Sequence, residues 1–85
     1  MVNIEEIDKL ITEYDESQEI PFILEGLTRP TMDALGDNES DVIDFINEAN
    51  KKQLVFLSMF IEEILDRFPS DEMDKAVDIL VSAME

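Results

Sequence analysis

The chain has 85 residues, 22 acidic side chains against 6 basic ones, a net charge of −16, 45% apolar residues and neither cysteine nor histidine. This composition excludes disulfides, thiolate sites and imidazole chemistry, and its negative field repels nucleic acid and anionic membrane while steering basic partners inward. It is too apolar for a disordered acidic tail and long enough for one small domain over residues 1–85.

The first residues, Met1-Val2-Asn3-Ile4-Glu5-Glu6, form neither a basic n-region nor an apolar h-region, so a cytoplasmic chain without a cleaved leader is expected. Asn3 followed by Glu6 looks like a capping box, and Ile4, Ile7, Leu10, Ile11 and Tyr14 then fall at helical spacing, predicting an amphipathic helix over 4–15. Ser17 is read as the N-cap of a second helix with Pro21 in its first turn and Ile20, Ile23, Leu24 and Leu27 as its stripe. Gly26 and Thr28-Arg29-Pro30 are expected to end it.

Residues 28–39, TRPTMDALGDNE, hold no sustained period and read as an ordered connector, with one turn through Met32, Ala34 and Leu35 and a left-handed Gly36 at its end. Asn38 or Ser40 opens a third helix, in which Val42, Ile43, Phe45, Ile46 and Ala49 face inward, and Asn50-Lys51-Lys52 is where it should stop or bend.

The stretch LVFLSMFI, 54–61, cannot span a bilayer, which needs about 20 apolar residues. It reads instead as the apolar start of a helix carrying Leu54, Phe56, Leu57, Phe60, Ile61, Ile64, Leu65 and Phe68, with Val55 and Met59 widening the stripe enough to make this helix central. Ser70 then caps a last helix with acids in its first turn, burying Met73, Ala76, Val77, Leu80 and Val81 or Met84. The expected fold is all-α, a compact bundle of about five short helices.

Two halves of the pattern rhyme. Glu5-Glu6-Ile7 and Glu62-Glu63-Ile64 each follow an isoleucine, and each runs toward a serine-capped helix at Ser17 or Ser70, which suggests repeated helical hairpins around the central apolar helix. The segment LVFLSMFIEEILDRFPSDEMDKAVDIL, about a third of the chain, resembles a HEAT-like helical hairpin, a build found among small acidic immunity proteins of bacterial toxin systems. The resemblance implies an inhibitor of a basic toxin or nuclease and supplies no catalytic residues.

Catalysis finds little support in the residues. Without histidine, a nucleophilic serine would need Lys9, Lys51, Lys52 or Lys75 as its base, and these fall at ordinary surface spacings, so no enzyme and no cofactor is expected. Placing Asp37, Glu39, Asp41, Ile43, Phe45 and Glu48 at the ligand positions of a calcium loop puts Val42 where glycine is required and Asp44 where an apolar residue belongs, so no metal site is expected.

The remaining signal is charge. Asp33, Asp37, Glu39, Asp41, Asp44 and Glu48 lie within 16 residues, and positions 41, 44 and 48 share a helix face, making these six the candidate binding site for a basic protein partner. A second acidic face comprises Glu62, Glu63 and Asp66. The functional expectation is an acidic inhibitor or immunity-type module. The alternative is a structural or regulatory helical subunit that buries Val55, Met59 or the Met-bearing C-terminus in a homo- or hetero-oligomer.

Overall fold

Short polar side chains start the helices. The side-chain oxygens of Asn3, Asn38, Asn50 and Ser70 each accept a hydrogen bond from the backbone N–H three residues on, at 2.8 to 3.1 Å, satisfying a donor that the first turn leaves unpaired. The computed structural model describes residues 1–17 and 23–84, in which the helices are α1 (Ile4–Glu16), α2 (Ile23–Leu35), α3 (Glu39–Glu48), α4 (Lys51–Ser58), α5 (Ile61–Arg67) and α6 (Asp71–Ala83). No strand occurs among the described residues. The fold is thus all-α, and the radius of gyration of 12.0 Å is that of a compact chain of this length.

The packing brings a helix pair and a four-helix group together, the second centred on α6. α1 lies against α2, and α6 lies against α3, α4 and α5, while α1 meets α4 and α2 meets α5 between the two groups. Ile7, Leu35, Val42, Leu57, Ile64, Met73 and Leu80 are fully shielded from solvent and form the centre of one core. The apolar run behaves as a central element: Phe56, Leu57, Phe60, Ile64 and Phe68 are buried, and Leu54, Ile61 and Leu65 pack partly buried against the same core.

Three boundaries differ from expectation. α2 does not end at Pro30 but runs through it to Leu35, so most of the expected connector is helix and only 36–38 joins α2 to α3. Proline removes one N–H bond, and the carbonyl left without it belongs to Gly26, which is exposed and can be hydrated. Burial of Leu27, Met32, Ala34 and Leu35 on the same helix outweighs that loss. Gly36 ends α2 with φ +80°, as its spacing implies.

The long apolar helix is broken in two at Met59 and Phe60. Met59 and Phe60 donate their N–H groups to Phe56 and Leu57, three residues back, and the buried Ser58 hydroxyl donates to the carbonyl of Val55. This tightening to i→i−3 bonds ends the α-helical ladder, and a serine bonding back to its own helix favours the bend. α5 restarts without a side-chain cap.

Asn50 starts α4 rather than finishing α3: it forms a full capping box with Gln53, placing Lys51 and Lys52 in a first turn where the dipole disfavours cations. Lys52 finds a partner in Asp15, 2.9 Å away. Ser17 closes α1, its N–H donating to the Tyr14 carbonyl. Its expected role as the N-cap of the second helix rests on residues 18–22, which lie outside the described residues. The turn expected at Ile20 and Pro21 lies outside the described residues, as do the side chains of Ile23 and Leu24.

Two apolar assignments also change. Ile4 is 49% exposed, and both Val81 and Met84, one of which was expected in the core, are 40% and 55% exposed.

Candidate functional site

The six carboxylates expected to form one site have different neighbours in the fold. Asp33 sits on α2 in a depression shared with Asn3, Glu6, Arg29 and Pro30. Asp37 lies 3.7 Å from Arg67 and is almost wholly exposed. Glu39 accepts a hydrogen bond from the Ser70 hydroxyl, tying the start of α3 to the cap of α6. These three have different neighbours.

Asp41, Asp44 and Glu48 do come together. They line one side of a groove of about 310 Å³ whose other side is the N-terminal segment Met1, Val2 and Ile4. Phe45 and Ala49 of α3 and Gln53 of α4 complete the lining. The three carboxylates share a face because positions three and four apart on a helix are neighbours.

The N-terminal wall is held in place from several directions. The Asn3 N–H donates to the Ala34 carbonyl at 2.7 Å, Val2 is buried, and a β-carbon at Gly36 would stand 3.6 Å from the Met1 carbonyl oxygen. The left-handed turn at Gly36 thus turns the chain out of α2 directly beside Met1 and into the cap of α3. On the α4 side, Gln53 is fixed by three bonds: its Oε1 accepts from the Asn50 N–H, its N–H donates to Asn50 Oδ1, and its Nε2 donates to Asp8 Oδ1 at 2.9 Å. The groove is therefore built on a rigid frame, which favours a defined geometry for whatever it binds.

Its carboxylates are not equivalent. The α-amino group of Met1 stands 3.0 Å from Asp41. Asp44 and Glu48 have no hydrogen-bond or ion-pair partner among the described residues and stand exposed over the apolar lining of Val2, Phe45 and Ala49. Chemically the groove offers an apolar floor with two available negative charges at its rim.

A second depression, about 210 Å³, lies between α1 and α4 and is lined by Ile11, Tyr14, Val55, Phe56 and Met59. Its rim charges, Asp15 and Lys52, neutralise each other. Of the other acidic face, Glu62 and Asp66 are exposed and Glu63 is half-buried, and none of the three lines a groove described here. Among the described residues no three carboxylates are grouped to hold a metal ion, and no helix is long and apolar enough to cross a membrane.

Sequence reasoning missed the wall and floor of the groove: Val2, Ile4 and Gln53. Ile4 was absorbed into the core stripe of α1 because it falls in phase with Ile7 and Ile11. Its place in the first turn, before the helix reaches its neighbours, is the signal that separates it from them. No family model matches the chain, and no curated protein or solved structure is significantly similar to it.

Proposed function

We propose that the protein is a non-catalytic acidic binding module that docks a basic protein, as an inhibitor or immunity-type protein would cover a basic toxin or nuclease. The observation that carries this reading is the pairing of an apolar groove with the unpaired carboxylates of Asp44 and Glu48 in a chain of net charge −16. The charge accelerates encounter with a positive surface, and the apolar floor supplies the desolvated contact that charge by itself does not.

The second reading, a helical subunit of an oligomer, draws on the α1/α4 depression and the exposed Val55, 38% accessible at its edge. Capture on the immobilised protein, followed by elution in steps from about 0.1 to 1 M salt, tests the first reading, since screening shortens from about 10 to 3 Å over that range. A basic protein released as salt rises supports it. Capture of only neutral or acidic proteins, with the chain itself dimeric by light scattering, favours the subunit instead.

A further inference from the structure

We propose that the groove between the N-terminal segment and α3 is a pocket for one arginine side chain of the basic partner, with Asp44 and Glu48 as the two acceptors of its guanidinium. The inference rests on the partner-binding reading above and specifies its anchoring contact.

Three properties of the groove select this occupant. Its floor of Val2, Phe45 and Ala49 is apolar, which suits the methylene stem of a long basic side chain. Its rim carries two unpartnered carboxylates at positions i and i+4 of one helix, whose β-carbons stand about 5 to 6 Å apart and whose side chains can converge on a single cation. At the same rim Asp41 is engaged by the Met1 nitrogen at 3.0 Å, which leaves Asp44 and Glu48 for an incoming group.

Arginine is favoured over lysine by the number of acceptors. A guanidinium presents five N–H donors on a planar fork and can engage one carboxylate along each of two edges, whereas an ammonium is a point charge that holds its water tightly. A flat cation is also more weakly hydrated, which suits the apolar floor of Val2, Phe45 and Ala49, beside which the Gln53 amide is already bonded to Asn50 and Asp8. Arginine is enriched among the few residues that dominate protein interfaces, and such anchors sit in preformed pockets. By contrast, the α1/α4 depression has its charges internally neutralised and gives no reason to choose a basic occupant.

The test is a ¹⁵N–¹H NMR titration of the whole chain with N-acetyl-arginine amide, with N-acetyl-lysine amide as the second arm and Asp44→Asn/Glu48→Gln as the variant. Both substituted residues are exposed and without partners among the described residues, so circular dichroism of the variant should match that of the parent. The expected result is saturable shifts confined to Ile4, Asp44, Phe45, Glu48 and Ala49, weaker saturation by lysine, and a loss of affinity of about tenfold in the variant. Shifts spread evenly over the acidic surface, or equal responses to arginine and lysine that survive the double substitution, would overturn the proposal. The partner capture separates the two levels of inference. A basic protein captured equally by parent and variant leaves the acidic-module reading standing and removes the arginine pocket; groove-confined arginine shifts with no basic protein captured remove the module reading.

Discussion

Phe60→Ala should be among the most damaging single substitutions in this molecule. Phe60 is 1% exposed and sits at the junction of α4 and α5, where its ring meets Phe56 edge-on at 5.2 Å. Its N–H and carbonyl bond to Leu57 and Ile64 through the backbone and survive truncation, so the loss is that of the side chain. Removing a buried phenylalanine costs about 3 to 5 kcal/mol through lost transfer energy and the cavity left behind, of which the aromatic pair accounts for about 0.5 to 1.5 kcal/mol. A chain of this length has about 4 to 13 kcal/mol of total stability. The substitution thus removes from about a quarter of it to more than the whole. In urea, with a slope of about 1 kcal/mol/M for so small a protein, the midpoint should fall by about 3 to 5 M, followed by circular dichroism. Val55→Ala, at a residue 38% exposed on the same apolar run, is the control and should cost less than about 1 kcal/mol. A loss below about 1.5 kcal/mol for Phe60→Ala, or equal losses for the two, would show that the α4–α5 junction is not the packed centre described above.

Three further outcomes follow from particular residues. The Thr31 hydroxyl is fully buried without a hydrogen-bond partner, so Thr31→Val, which keeps the shape and removes the desolvated oxygen, should stabilise by about 1 kcal/mol and raise Tm by about 4 to 8 °C in calorimetry. Gly26 lies inside α2 with open space where a β-carbon would go, and Gly26→Ala should add about 0.5 to 1 kcal/mol by equilibrium unfolding; a loss would mean that α2 is distorted around Pro30. A net charge of −16 on a compact body is self-repelling, so raising sodium chloride from about 0.1 to 0.5 M should raise Tm by about 4 °C, and a flat response would refute the uniform-field picture.

The helices were legible where caps and periodicity agreed. Asn3, Asn38 and Ser70 mark their starts in sequence and in space, and Met73, Ala76, Val77 and Leu80 are buried as their spacing requires. Boundaries failed where tertiary burial overrode local preference, as at Pro30, and where an unbroken apolar stripe hid a change of hydrogen-bond pitch, as at Ser58 to Phe60. Periodicity records which face is apolar but not whether the backbone keeps one axis along it. The candidate site was half legible for a related reason. Asp41, Asp44 and Glu48 share a helix face by spacing, whereas the partners of Asp37 and Glu39, Arg67 and Ser70, come from much later in the chain.

Arg67 gives that long reach a consequence for how the molecule opens. Its Nη1 donates to the Met32 carbonyl at 2.9 Å across 35 residues of sequence, and to the Gly36 carbonyl across 31, supplying from α5 the positive charge that the last turn of α2 lacks. Until α5 docks, the Met32 carbonyl has only its local bond from the Gly36 N–H and the Gly36 carbonyl has only water, so the end of α2 lacks the charged partner of the folded chain. In the native ensemble the last turn of α2 and all of α5 should therefore exchange their amide protons with the same opening free energy, as one foldon drawn from two distant parts of the chain. The left-handed turn at Gly36, whose carbonyl accepts from Arg67, stands beside Met1 in the wall of the groove, so opening of that unit should also loosen the N-terminal wall.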